Sequence, residues 1–416
     1  MTIVRAAGIW PAPADAAVLF DSTVQVIRSG WLDALRTSPK RPAPSPEVEA
    51  AALMARLVKP LASGTVLTDL GSQLTSVEGY DGSAFFRFVD EVFRPCYGHA
   101  KSRITEGGNN FIRAFGRAYF DYLSANAGHK QLAHIAMVAT QAPLEHCLAA
   151  QLALADVHSI VDVGGGVGGL GRALVRRWPS CRVTVADVDP SAGALVSGMS
   201  TTGVTHEYAD FFDSVPTGAD LYCAKLILHD WEDDDARRVL AVIAKAMARS
   251  SRLAVIESPL PALGRPDIST LWDVHQLLTM GGRERRVGEI QALAADVGLH
   301  LQRVEPGPEP LGVLWFGKQP APVPNVHDFH RACARGHDLA HLALGLAMSE
   351  IHGLWLIMAP AQRGNAATPE EIALHTGTRP EAMARLLRAW SYLGLASEHP
   401  DGCYAVLEPA RIALNG

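Results

Sequence analysis

Three side chains stand where a base and its partners could work: His229, Glu257 and Glu284. The run Ala224-Lys225-Leu226-Ile227-Leu228 alternates like a strand, and His229 comes just past its end. Glu257 closes the apolar run of VIESPLP, and Glu284 sits in the turn-like GGRER. In an open parallel sheet, ligands bind beyond the carboxyl ends of the strands. A neutral imidazole there can act as a general base, taking a proton from a bound group. A paired carboxylate would fix its tautomer and stabilise the imidazolium that forms. The plainer reading makes His229 a surface histidine at a strand end. Asp230 either helps to hold a substrate or caps the following helix, and the cap is favoured.

A second constellation lies upstream. The segment Val161-Asp162-Val163-Gly164-Gly165-Gly166-Val167-Gly168-Gly169 follows a strand and opens a helix. Glycines let the backbone turn sharply and let a ligand approach without a Cβ in the way. Asp187 ends the next strand, 18 residues after Gly169. A carboxylate there can accept hydrogen bonds from both ribose hydroxyls of an adenosine. Gly164, Gly166 and Gly169 fit the G-x-G-x-x-G of dinucleotide sites. Gly164, Gly166 and Gly168 fit D-x-G-x-G-x-G, with Asp162 as its acid. The loop has no lysine, which excludes a phosphate-binding P-loop. These residues predict an adenosine site and leave its identity open.

The elements that must position them are legible as an alternation. Residues 158–318 place short β-branched runs (Ile160–Val163, Val183–Ala186, Leu253–Ile256) between longer helical patterns. That order predicts an α/β, Rossmann-like core with a parallel sheet covered on both faces. Residues 1–150 read as mainly helical, with Phe85, Phe86, Phe88, Val89, Val92 and Phe93 at helical spacing. Pro-rich stretches at 38–46 and 319–324 read as loops or linkers. The expected domains are therefore 1–150, 151–318 and 325–416. In the last, Thr368-Pro369-Glu370-Glu371 marks a helix start with a capping box, and Thr378-Arg379-Pro380-Glu381 repeats the device. Two short helices followed by Cys403–Val406 suggest a helix-turn-helix with a wing. Met54–Leu57 recurs as Met383–Leu386, each after a Gly–Trp feature (Gly30-Trp31, Gly353-Leu354-Trp355) and before a glycine (Gly64, Gly394). The internal repeat this suggests leaves the first copy short of a helix; chance similarity is the alternative.

Bulk properties narrow the class. The chain has 416 residues, 48% of them apolar, enough for a large core. A net charge of −6 offers no general attraction to nucleic acid or an anionic membrane. Arg172, Arg176 and Arg177 read as a solvated helix face. The six cysteines (Cys96, Cys147, Cys181, Cys223, Cys333 and Cys403) form no C-x-x-C pair and predict free thiols. No metal-ligand spacing is present among 16 histidines, so no metal is expected. No signal peptide or membrane span is read, and a cytoplasmic protein is expected.

The ordered pattern VDVGGG…D…DFF…K-x-x-x-HDW-x-D-D…IESPLP…GGRER resembles the plant caffeate-type and bacterial polyketide O-methyltransferases, over residues 80–318. That resemblance implies S-adenosylmethionine as cofactor, and transfer of a methyl group to a hydroxyl of a small aromatic natural product. It implies His229 as general base, oriented by Glu257 and Glu284. It places S-adenosylmethionine on the glycine loop, Asp187, Asp210, Phe211 and Lys225. Asp210 and Phe211 would lie along the adenine, and Lys225 near its edge or the ribose. The chain departs from the pattern by one extra residue near Thr217-Gly218-Ala219. Trp231 walls the adenine or packs in the core. Met137, Asp230, His275 and Met280 are candidate substrate contacts, with a structural role the alternative for Met137 and His275. The resemblance also implies a homodimer closed by an N-terminal winged-helix-like domain, shortened here. Ordinary members stop near Lys318, so the C-terminal winged-helix-like segment is an addition. It is expected to restore packing that the first copy lost. The competing functions are N- or C-methylation, non-methylating chemistry assisted by S-adenosylmethionine, and a winged-helix ligand-sensing regulator.

Overall fold

The computed structural model describes residues 13–38, 41–61, 64–77, 80–193, 202–261, 268–308, 310–321, 366–392, 396–399 and 401–406. Part of the second Pro-rich stretch, Cys333, Gly353-Leu354-Trp355 and Gly394 lie outside them.

Seven strands form one sheet: β1 (Ser159–Val163), β2 (Arg182–Asp187), β3 (Val204–Tyr208), β4 (Leu221–Lys225), β5 (Arg252–Glu257), β6 (His300–Pro306) and β7 (Gly312–Gly317). Their order is β6-β7-β5-β4-β1-β2-β3. The first five are mutually parallel; β7 runs antiparallel to them beside β5, and β6, antiparallel to β7, returns to their direction at the edge. Strand order reverses at β1, which lies between β2 and β4. A crevice opens at such a point beyond the carboxyl ends, and that is where the glycine loop emerges.

Both faces of the central strands are covered, so they carry near-continuous apolar runs. Ile160, Val183, Val185, Leu221, Cys223, Ala254 and Ile256 pack toward α1 (Ala127–Gln151) and α2 (Gly169–Arg177). The alternate residues Val161, Val163, Tyr222, Ala224, Leu253 and Val255 pack toward α3 (Asp233–Ala246) and α5 (Val287–Asp296). The two-residue period of a strand divides them this way. Arg172 is not part of a solvated face: it is buried and donates to the Val167 carbonyl, while Arg176 and Arg177 are exposed.

A separate core joins distant parts of the chain. It contains Trp31, Leu32 and Leu57, the phenylalanines of helix 84–97, Leu271 and Val274 of α4 (Ser269–Leu278), and Ile372, Met383, Leu386 and Trp390. Helix 84–97 contains one π turn, Val89–Phe93. The last four belong to α6 (Pro369–Thr376) and α7 (Pro380–Tyr392). Thr368 caps α6 in a full capping box with Glu371. Thr378 does not cap α7: the helix starts at Pro380, and the Thr378 hydroxyl bonds to that of Thr376. A short antiparallel pair, 396–398 with 404–406, follows α7. Another, 58–61 with 64–67, follows the helix Pro46–Met54 near the N-terminus. The described cysteines 96, 147, 181, 223 and 403 are free thiols.

Candidate active site

Gly164, Gly166 and Gly168 all adopt positive φ, 63°, 53° and 77°, a region that glycine occupies without a Cβ penalty. The loop folds back so that the Gly166 amide donates to Asp187 Oδ2 at 2.9 Å. A Cβ on Gly166 would meet nothing within 4 Å, so the space over the loop is open beside that carboxylate. A Cβ on Gly164 would come 3.3 Å from Phe211 Cε1. Phe211 in turn meets Trp231 edge-on, with centroids 6.0 Å apart, and Trp231 stacks on Phe120 at 5.3 Å. The Asp210 carboxylate accepts from the Phe212 amide at 2.9 Å and fixes the turn that presents Phe211.

Two of the expected cofactor residues lie beneath the loop. Asp162 is buried under Gly165 and accepts from the Gly171 amide. Burial pushes its carboxyl up to about 7, against the pull of Lys225. Lys225 reaches back to α1, with Nζ 3.3 Å from Glu145 Oε1 and donating to Gln141 Oε1 at 3.2 Å. Glu145 itself packs where a Cβ on Gly169 would lie. Lys225 is thus tied to the helix behind the loop. Gln141 and Glu145 were absent from the motif because they come from a distant amphipathic helix.

The histidine cluster stands at the ends of β4 and β5. Leu226 follows β4 with φ 54°, a strained setting for a bulky residue, costing about 1–3 kcal/mol. Its amide still bonds to the Ile256 carbonyl. The turn Leu228–Asp230 comes next. Glu257 Oε1 accepts from the amides of Ile227 and Leu228, at 3.1 and 2.8 Å. Glu257 therefore holds the backbone that carries His229. Glu284 Oε1 lies 2.8 Å from His229 Nδ1. On the far side of the ring, Asp230 Oδ1 is 3.3 Å from Nε2 and accepts from Gln276 at 3.0 Å. Asp230 does not cap α3, whose N-cap position is Glu232. Burial alone would lower the His229 pKa; Asp230, Glu284 and Glu257 outweigh it and raise it to about 10.

The GGRER loop braces this turn. A Cβ on Gly282 would come 2.1 Å from the His229 carbonyl oxygen, so only glycine fits. The Arg283 amide donates to that same oxygen at 2.8 Å. Arg285 is buried and donates to the carbonyls of Leu228 and Trp231, both at 2.7 Å. The sequence pattern contained these arginines without revealing their task.

His275 is buried; its Nδ1 bonds to the Tyr97 hydroxyl at 2.8 Å, and burial lowers it to about 3. It begins a row of ring contacts: His275–Phe93, Phe93–Tyr119, Tyr119–Phe120 and Phe120–Trp231. Met280 is half-buried and its carbonyl accepts from Asn109 at 2.6 Å; Met137 is 38% exposed on α1. Among the described residues, His229, Glu257 and Glu284 form the one group whose ligand atoms, within 4.8 Å, suit a cation. Their nearer oxygens are committed to the amides and to Nδ1.

Residues 97–300 match the O-methyltransferase domain family. Over 260 residues the chain is 31% identical to O-demethylpuromycin-O-methyltransferase of Streptomyces alboniger, spanning 60% of this chain and 69% of that one. The chain belongs to this family. It is a methyltransferase. It is also 30% identical over 223 residues to phenazine-1-carboxylate N-methyltransferase of Pseudomonas aeruginosa, spanning 52% of this chain and 66% of that one. The solved structure of the mitomycin 7-O-methyltransferase MmcR matches with a TM-score of 0.63 at 25% identity, over 73% of this chain and 94% of that one. The chain spans 59–69% of the length of the first curated relatives it matches. The residues present fit S-adenosylmethionine: an open cradle over Gly166, a carboxylate at the end of β2, and the Phe211 ring beside Gly164.

Proposed function

We propose that this methyltransferase acts on a hydroxyl of a small aromatic natural product, with His229 as general base. The observation that carries the reading is the buried His229–Glu284 pair, 2.8 Å apart, with Nε2 on the opposite side of the ring. Bound S-adenosylmethionine supplies a methyl group already activated by its sulfonium. Asp187 and the glycine loop would hold it, with Phe211 against the adenine. Glu284 fixes the tautomer by accepting from Nδ1–H, which leaves the Nε2 lone pair for the acceptor proton. Asp230, 3.3 Å from Nε2, would take up the imidazolium charge once Nε2 is protonated. The ring row from His275 to Trp231 supplies apolar faces of the kind a flat acceptor stacks on. A base worth about 10²–10⁴ in rate should be missed when removed. His229→Ala is expected to lose methylation of a phenol panel by that order, with S-adenosylmethionine affinity by calorimetry unchanged. Full turnover in the variant would remove His229 as base.

N-methylation is the second reading, favoured by the N-methyltransferase relative. A paired amine and phenol panel separates the two. The proposal extends to three domains (1–150, 151–318 and 325–416), a homodimer and a cytoplasmic protein. No helix among the described residues is long and apolar enough to cross a membrane.

A further inference from the structure

We infer that Arg385, on α7, is a positioning residue for the base. It fixes Asp273 and the Gly282 carbonyl, and through them the segment that carries Glu284 to His229. The inference rests on the reading of His229 as base.

The connection is a short chain of buried contacts. Arg385 Nη2 lies 3.0 Å from Asp273 Oδ1 and donates to the Asp273 carbonyl, and to the Gly282 carbonyl at 3.0 Å. Asp273 Oδ1 also accepts from the Glu284 amide at 3.1 Å. One carboxylate oxygen thus joins the guanidinium to the backbone of the glutamate that holds Nδ1. Gly282, held from one side by Arg385, packs on the other against the His229 carbonyl with no room for a Cβ. Arg385, Asp273 and Glu284 are 4%, 1% and 1% exposed, so water does not compete for these bonds. Arg388 adds a weaker contact, 3.4 Å from Asp273 Oδ2.

Arg385 has no contact with the ring of His229. Buried ion pairs are weak evidence for stability, because desolvation offsets the attraction. Three oxygens from two segments instead converge on one guanidinium nitrogen, Nη2, and a shared donor of this kind ties those segments at a single point. The residue lies beyond the family match, which ends at 300, on a helix packed against α4. The C-terminal segment therefore contributes to the site as well as to the core.

The charged groups around Arg385 are Asp273, Arg388, Arg283, Glu381 and Arg103; those around His229 are Asp230, Glu284 and Glu257, with His275 neutral by burial. Removing a nearby positive charge would by itself raise the pKa of an imidazole. Loosening Glu284 would lower it. The sign of the change therefore separates positioning from simple electrostatics.

The test is a pH titration of the full chain labelled with ¹³C at histidine Cε1, with S-adenosylhomocysteine bound. The His229 signal is assigned by its loss in His229→Gln. Arg385→Met is expected to move the His229 midpoint down by about one pH unit, as Glu284→Gln does, with less than a threefold change in S-adenosylhomocysteine affinity. Arg385→Lys is expected to give about half that shift, because the ammonium keeps the charge while the shorter side chain reaches the three oxygens less well. The double variant Arg385→Met/Glu284→Gln should titrate like Glu284→Gln alone. An unmoved or raised midpoint, or additive shifts, overturns the inference. If Arg385→Met does not fold, Arg385→Lys decides, and an unchanged midpoint there overturns it too. Methylation surviving in His229→Ala would sink the base and leave the titration result standing.

Discussion

The carboxylates around His229 divide their tasks. Glu284 holds Nδ1, Asp230 lies beside Nε2, and Glu257 holds the turn through two amides. Together they overcome the cost of burying an imidazolium and raise the ring to about 10. A base must be neutral to accept a proton, so below that pH the productive fraction falls about tenfold per unit. The kcat/KM of the free enzyme is therefore expected to rise from neutral pH toward about 10. Glu284→Gln removes one of the raising charges, so its ascending limb should begin at lower pH. Its maximal rate should drop about tenfold or more, because the ring is no longer held. The same acceptor in both enzymes cancels the ionisation of the acceptor itself. Identical limbs would show that Glu284 does not tune the base.

At the scale of elements, two loops do the positioning. The turn after β4 carries His229, and the GGRER loop carries Glu284 and braces that turn through its backbone. Gly282 is the tightest point, with no room for a Cβ against the His229 carbonyl. Overpacking of this kind costs about 1–3 kcal/mol. Gly282→Ala should lower Tm and turnover together while S-adenosylmethionine affinity, measured by calorimetry, stays near wild type, since the glycine loop lies elsewhere. Wild-type turnover would mean that the loops can part without consequence.

At the scale of the whole molecule, the chain closes on itself. Side chains of α6 and α7 share one core with the N-terminal helices and α4. Arg379 donates its amide to the Ile104 carbonyl, and Arg103 donates to the Leu277 carbonyl. Removing residues 325–416 would expose the apolar side of α4 and take Arg385 and Arg388 away from Asp273. The truncated protein should show a lower Tm in calorimetry and little turnover. Unchanged Tm and kinetics would show the segment to be an appendage.

His229 and Glu284, the glycine loop with Asp187, and the α/β alternation were legible in the sequence, because each is local. A strand-end histidine, a run of glycines and a two-residue apolar period leave marks within a few residues. The capping box at Thr368 is legible for the same reason, whereas the start read at Thr378 is displaced by one residue. The tertiary structure alone decided the rest. It turned Lys225 toward Glu145 and Gln141, aimed Asp230 at His229 instead of at a helix end, and committed Glu257 to amides. It also brought Arg385 to Asp273, 112 residues away in the chain. Such contacts depend on where a long side chain finds a buried partner, and no local spacing records that.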